Sequence, residues 1–303
     1  MELRDLEYFA VVAKHGHVGR AAESLELSQP ALSKSLRRLE KAMQAKLVKR
    51  TPKGVELTAV GSALHMHVHR LRLSLDDVVR EAADLSQGRA GHLRVGAGAG
   101  MGDRLLAAAC SALLMDAPKV TLALTVASNA VLLPALHNGE HDLVVSGIPH
   151  SSYKDLAQER LYDDEFVVYA SVNHRLAKRK RVSLADLAQE RWALSAPNDL
   201  SWKRVHRVFE DNSLPPPRIA FETSAVSIRV QAVASSDLLG FSSRRVLQQA
   251  KRHFPVAELR VKEMSWRRCV GVSYRKDAYL SPAARRMIEI IKSTARDITK
   301  KQT

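Results

Sequence analysis

The chain has 303 residues and a mass of 33.5 kDa, enough for two or three domains with cores of their own. Lys and Arg number 47 against 32 Asp and Glu, a net +15 and a pI near 10.0, which favours a polyanionic partner without bearing on fold. Hydrophobic content of 46 % with 14 Gly and 11 Pro excludes a disordered or collagen-like chain, and two cysteines, Cys110 and Cys269, exclude a disulfide scaffold.

No apolar run reaches the ~18 residues of a membrane span. The start, Met1 to Asp5, lacks the apolar core of a secretion signal, so a soluble, cytoplasmic protein without a membrane partner is expected.

Leu3, Leu6, Phe9, Ala10 and Ala13 recur at helical spacing and predict a first helix that Gly16 ends. Ala21, Ala22 and Leu25 predict a short second one, closed at Leu27-Ser28. Ser28 is placed to cap a third, with Pro30 in its first turn, where a missing N–H costs nothing. Leu32, Leu36, Leu39 and Met43 step by four, three and four and form one buried stripe. The opposite face carries Gln29, Ser33, Lys34, Arg37, Arg38 and Lys41. That is the pattern of a helix-turn-helix.

The major groove of B-DNA admits one α-helix, so polar residues at its N-terminal end meet base edges, while arginines further along meet phosphates. Lys46 to Arg50 and Val55 to Leu57 flank the turn-forming Thr51-Pro52-Lys53-Gly54, a β-hairpin wing whose tip can enter the minor groove. Residues 28–58 hold eight Lys or Arg against two Glu, a net +6. The DNA-contact candidates are Ser28, Gln29, Pro30, Ser33, Lys34, Arg37 and Arg38 on the helix, and Arg50, Thr51 and Lys53 on the wing. A small helical cap whose basic face meets only water is the bland alternative. The wing in register weighs against it.

Ala21-Ala22, Leu25, the string Leu27-Ser28-Gln29-Pro30-Ala31-Leu32-Ser33, Leu39-Glu40 and the run Arg50 to Thr58 resemble the winged helix of LysR-type transcriptional regulators. Gln44 stands where that family usually has a turn glycine, Val48 where it has Phe, and Lys34 and Lys53 where Arg is common.

Thr58 can cap a helix running to about Gln87, roughly 45 Å long at ~1.5 Å per residue. Val68, Leu71, Leu75, Val78, Ala82 and Leu85 alternate steps of three and four, a heptad seam that argues for a partner helix over burial within the chain. His65 and His69 stand at i and i+4, a spacing that can hold a metal, but no acidic or Cys ligand lies near them in sequence, so no metal is expected there. The resemblance implies an antiparallel linker-helix dimer, further association to a tetramer and contact with RNA polymerase. The stretch Ser86 to Gly91 reads as a hinge.

From Leu93 strand-like and helix-like segments alternate, the pattern of α/β layers. Leu93-Arg94-Val95 begins a strand, and Arg104 to Met115 a helix. Gly96 to Gly102 between them reads either as an anion-cradling turn or as glycines for close helix–strand packing; it lacks the spacing of a dinucleotide fingerprint. Further strands are predicted at 120–126, 142–146, 165–172, 192–195, 218–223, 238–241 and 269–274, alternating with helices and closing on a helix at 282–296. Two open lobes with crossovers near 163 and 267 fit this order. The resemblance implies the same, a two-lobed effector domain like a periplasmic binding protein.

The expected organisation is therefore a winged helix over 1–58, a linker over 59–90 and an effector domain over 91–303. Its lobe 1 takes 91–163 and 268–303, and its lobe 2 takes 164–267. Ligands of open parallel sheets lie beyond the carboxyl ends of strands. That nominates Gly100, Met101, Ser128, Asn129 and Gly147 from lobe 1, and Pro197, Asn198, Thr223 and Ser242 from lobe 2, for a small organic anion with no cofactor. The basic run His174 to Arg181 reads as a solvated loop. No G-x-S-x-G, H-E-x-x-H or paired Cys–His spacing is present, so no enzyme is expected. The function expected is a DNA-binding regulator responsive to an effector. The alternative is a solute sensor of the same effector fold without a transcriptional role.

Overall fold

A computed structural model describes residues 2–52, 54–87, 91–101, 105–148, 153–197 and 199–300. The chain divides into two compact units, residues 1–80 and 81–303.

In the first unit the apolar spacings fold as helices α1 (Leu3–His15), α2 (Val18–Ser24) and α3 (Gln29–Ala42). Gly16 ends α1 with a left-handed φ of 59°. Ser28 caps α3, its Oγ accepting from the Ala31 N–H at 3.3 Å. Leu32 and Leu39 are fully buried and Leu36 nearly so. Leu32 packs with Val12, Ala21 and Ala22, and the other two with Phe9, Leu47 and Val68. Strands β1 (Val48–Thr51) and β2 (Gly54–Leu57) pair antiparallel from Val48↔Leu57 to Thr51↔Gly54, forming the wing.

Gly54 is required by close approach. A Cβ there would lie 2.2 Å from the Gly16 carbonyl oxygen, to which Val55 donates its N–H at 2.8 Å. The wing is thus seated on the end of α1. Thr58 caps α4 (Ala59–Gln87), its Oγ1 accepting from Gly61 N–H at 3.0 Å and donating to the Lys46 carbonyl at 2.7 Å. The division between units falls at residue 80, inside α4. Of the expected hinge, Gly88 to Ala90 lie outside the described residues.

The second unit is built on one mixed sheet. Its first strands are β3 (His92–Gly98), β4 (Thr121–Ala127) and β5 (Leu143–Gly147), with helices α5 (Ala107–Asp116) and α6 (Asn129–His137). Next come β6 (Leu156–Ser171), α7 (Leu184–Ala188), β7 (Arg191–Leu194), α8 (Leu200–Asp211), β8 (Arg218–Glu222), α9 (Val226–Ala234), β9 (Leu239–Ser243) and α10 (Arg244–Ala250). β10 (Val256–Leu259), β11 (Trp266–Arg275) and α11 (Pro282–Lys300) close the chain. The sheet order is β4-β3-β5-β11-β6-β9-β7-β8, with β10 also on β6.

Both faces of each half are covered. β3 and β5 bury Leu93, Val95 and Val145 against α5 and α11 through Leu113, Met287 and Ile291. Val144 meets α6 on the other face through Leu132 and Leu136. Around β7 and β9, Trp192 and Phe241 pack on Val205 and Phe209 of α8, and Ala193 packs on Val230 and Val233 of α9.

Two expectations are corrected. The strand read as 165–172 begins nine residues earlier, at Leu156, because its polar residues Gln158, Glu159 and Arg160 pair with Ser273, Val272 and Gly271 of β11. The crossovers expected near 163 and 267 lie within β6 and β11, whose long antiparallel pair joins the two halves: β6 pairs with β9 from Phe166 onward, and β11 pairs with β5 from Val270 onward. β10 was not foreseen, since four residues carry too little alternation. Gly96 and Gly98 lie within β3 and not in a turn. A Cβ at Gly96 would stand 2.9 Å from Leu132 Cδ2 and 3.0 Å from Val144 Cγ2, so this glycine serves the packing of α6 on the sheet.

Candidate nucleic-acid interface and inter-lobe cleft

The outer face of α3 is polar because its inner face is spent on leucines. Gln29, Lys34 and Arg37 are exposed, as are the capping Ser28 and Pro30, and Ser33 is half-buried. On the wing Arg50 is exposed and Thr51 half-buried; Lys53 lies outside the described residues. Lys49 and Glu56 pair across the hairpin at 2.9 Å.

Arg38 differs from its neighbours. Its guanidinium is bound to Asp5, a carboxylate buried on α1, and the Ser35 hydroxyl donates to the same group at 2.6 Å. The hydrogen bond from Arg38, followed by those from Ser35 and the Glu2 N–H, holds the Asp5 carboxyl well below its usual range against the opposing cost of burial. Glu40 is the second buried acid of this unit. Burial alone would raise its pKa, but the Lys46 ammonium at 2.7 Å and the Leu47 N–H at 3.0 Å outweigh it and lower it. It ties the end of α3 to the start of the wing. Neither role has a signal in local spacing, since the partners lie on other elements.

Along α4, Leu71, Leu75 and Val78 are exposed by 41 %, 46 % and 61 %, an apolar stripe unusual for a solvated helix, while Val68 is buried. Ala82 is exposed, and the Leu85 side chain lies outside the described residues. His65 sets its ring edge-on to Phe9 at 6.3 Å. Among the described residues no group of His, Cys, Asp or Glu is arranged to hold a metal, and no helix is long and apolar enough to cross a membrane.

In the second unit the strand ends converge on a cleft. Ser128, Asn129 and Gly147 line it from one half and Ser242 from the other, together with Ala99, Asp199, Ser201, Arg229, Ser243 and Arg268. Asn129 donates to the Gly147 carbonyl at 2.7 Å, fixing the start of α6 to the end of β5. Asp199 caps α8 through the Ser201 N–H at 2.8 Å. Arg229 is buried and donates to the Thr223 carbonyl at 2.7 Å.

The Arg268 guanidinium lies over the Phe166 ring, 4.2 Å from its centroid. Burial lowers its pKa, offset by Asp164 and Asp199. Asp164 accepts from the Ser243 hydroxyl at 2.9 Å. Two guanidiniums, four hydroxyls, the Asp199 carboxylate and the N-termini of α6, α8 and α9 thus ring the cleft. The space left is about 30 Å³, little more than a water occupies.

Not every nominated residue reaches this cleft. Gly100 and Met101 line a different cavity, against α10. Pro197 is exposed, and Asn198 lies outside the described residues. Thr223 turns its hydroxyl to the Ala225 N–H at 3.1 Å. Arg229, Arg268 and Ser243 were missed, because nothing in their sequence neighbourhood marks them; Asp199-x-Ser201 before an amphipathic helix was a legible cap. The run 174–181 is also not simply solvated: His174 is buried, Arg175 pairs with Glu190, and Arg179 pairs with Asp186 at 2.6 Å.

Residues 3–62 match the model of the bacterial regulatory helix-turn-helix protein, lysR family, and residues 86–296 match the LysR substrate binding domain. The chain belongs to the LysR family of transcriptional regulators. It is a DNA-binding regulator with a substrate-binding domain.

This LysR-type regulator is 27 % identical to the HTH-type transcriptional regulator GbpR of Azospirillum brasilense over 300 residues, covering 97 % of this chain and 87 % of that protein. It is 30 % identical to the SDS degradation transcriptional activation protein of a Pseudomonas species over 297 residues, covering 96 % and 95 %. Its fold resembles full-length CbnR complexed with its target DNA, with a TM-score of 0.60 at 21 % identity, spanning 97 % of this chain and 100 % of that one.

Proposed function

We propose that α3 enters the major groove with Gln29, Ser33 and Lys34 at base edges, while Ser28, Pro30, Arg37 and Arg38 contact the backbone and Arg50, Thr51 and Lys53 carry the wing onto it. The observation behind this is the exposed polar face of α3 above leucines that are buried in the same helix. Two copies pair through the Leu71–Leu75–Val78 stripe of α4, which sets two winged helices on two half-sites. The working division is a head over 1–58, a linker over 59–90 and an effector part over 91–303, in a cytoplasmic protein that catalyses no reaction. Dimers of this kind assemble into tetramers and act on RNA polymerase.

The effector is a small organic anion held in the cleft by Ser128, Asn129, Ser242, Arg229 and Arg268. With about 30 Å³ available, it enters only as the two halves part, so it binds the open arrangement better and shifts the population toward it. Binding of full-length protein to a promoter fragment, measured from low to moderate salt, tests the DNA reading. A steep fall in affinity with salt is expected from counterion release, and a flat response refutes it. Thermal-shift screening against small carboxylates tests the cleft, with Arg268→Gln abolishing the shift of any hit that occupies it.

A further inference from the structure

The positive charge of the chain does not sit mainly on its DNA-binding head. Residues 1–90 hold 15 Lys or Arg against 11 acids, a net +4, so +11 of the +15 falls on residues 91–303. The cleft uses two of these cations, Arg229 and Arg268.

Much of the remainder gathers at one end of the half built on β7, β8 and β9. These strands run parallel, and the cleft lies at their carboxyl ends, where Ser242 lines it. Their amino ends, beginning at Arg191, Arg218 and Leu239, mark the end opposite the cleft. β6, antiparallel to β9, finishes there at Ser171. The segment 172–191 leaves from β6, and the segment 251–255 lies against it: the Val172 N–H donates to the Pro255 carbonyl at 2.9 Å, and Val256 pairs with Ser171. Together the two segments hold eight Lys or Arg against Asp186 and Glu190, a net +6 that equals that of residues 28–58 in the head.

The acids of this end are already engaged. Glu190 pairs with Arg175, Asp186 with Arg179 at 2.6 Å, and Asp237 with Arg191 at 2.7 Å. Lys178, Lys180, Arg181 and Lys251 are exposed and make no ion pair among the described residues. The loop that carries the first three is held in place. His174 is buried, its Nδ1 accepting from the Leu176 N–H and its Nε2 donating to the Asp237 carbonyl, each at 3.1 Å. Cations fixed without counter-charges attract a polyanion, whose own condensed counterions are released on contact.

We infer that this end of the substrate-binding domain is a second DNA-contact face, which grips duplex beyond the stretch covered by the winged heads. DNA is the polyanion that regulators of this family bind. Three of the four unpaired cations are lysines, point charges without a bidentate fork, which suit phosphates rather than base edges. The contact is therefore independent of sequence. It goes beyond the head contacts proposed above and does not depend on what the cleft holds.

Binding of the full-length chain to random-sequence duplexes of about 20 and about 60 base pairs, followed from low to moderate salt, tests this. The slope of log affinity against log salt is expected to be steeper on the longer duplex by about 3 to 4, since each neutralised phosphate contributes ~0.9. The triple variant Lys178→Gln, Lys180→Gln, Arg181→Gln should lower the slope on the longer duplex by about 3, leaving the shorter duplex and the melting temperature unchanged. Arg37→Gln should lower both slopes by about 1, so a failure of the head contacts is read separately, on the shorter duplex. Acetylation labelling read by mass spectrometry should find Lys178, Lys180 and Lys251 protected by the longer duplex. Equal slopes for the triple variant and the unaltered chain on the longer duplex overturn the inference and leave an acidic protein surface as the partner of this face. Labelling of those lysines that DNA does not change overturns it as well. Should the triple variant lose stability, Lys251→Gln decides, with a slope lower by about 1 expected on the longer duplex alone.

Discussion

Asp5 and Arg38 clasp α1 to α3: the guanidinium donates through Nε to Oδ2 at 2.9 Å and through Nη2 to Oδ1. Asp5 is fully buried while 47 % of the Arg38 side chain remains in solvent, so the pair is an anchor with one end outside. Asp5→Asn is expected to lower the stability of the first unit by about 1–3 kcal/mol at neutral pH, the scale of buried hydrogen bonds to a charge. Because the folded state depresses the Asp5 pKa, its contribution is complete above about pH 4 and is lost as acid protonates the folded carboxyl. Urea unfolding of both proteins across pH should show the gap closing below pH 4; a gap constant with pH would remove Asp5 from the account.

The same clasp separates two neighbouring arginines. Arg37→Gln should lower affinity for operator and random DNA alike, reduce the salt slope by about 1, and leave the melting temperature in place. Arg38→Gln should lower the melting temperature as well. Equal melting temperatures for the two variants would show that the Asp5 contact carries no weight.

Gln29 stands exposed in the first turn of α3, next to its cap. Gln29→Ala should cost about 1–3 kcal/mol of discrimination between operator and random DNA, with little change on random sequence. Competition binding measures this, and equal losses on both would assign Gln29 to the backbone.

Gln44 closes α3 in a left-handed conformation, φ 51°. Its N–H reaches the Lys41 carbonyl and the Ala45 N–H the Glu40 carbonyl, each at 3.2 Å, the paired bonds of a Schellman ending. A side chain in that region is strained by about 1 kcal/mol, which Gly relieves. Gln44→Gly should therefore raise stability by somewhat less than that, read by denaturant midpoint at unchanged slope.

Leu75 is 46 % exposed in the middle of the α4 stripe. Leu75→Glu should turn dimers into monomers by light scattering, because a charge in an a/d seam is left desolvated on both sides. An unchanged mass would assign association to another surface.

Several of these elements were legible because the physics that sets them is local. The leucine stripe of α3, the Ser28 and Thr58 caps, the Gly16 stop and the Thr51–Gly54 turn each depend on residues within one or two helical turns of one another. Gln44 was readable as a departure, and its positive φ is the consequence of placing a side chain where the turn favours glycine. β6 was half legible. Its apolar end, Phe166 to Ala170, is a continuous run buried on both faces, whereas its polar start becomes strand only because β11 supplies a ladder more than 100 positions away.

The sequence by itself determined the winged head, the long helix with its exposed seam, and the alternation of strands and helices, since periodicity and capping act over a few residues. Only the tertiary structure decided which side chains share a site. Arg268 and Arg229 reach the cleft because strand order brings their segments to Ser128 and Gly147, while Met101 is carried away from it against α10. Arg38 is drawn to Asp5, 33 positions away, because a buried carboxylate must find a charged partner, and the fold rather than the local pattern chooses which one.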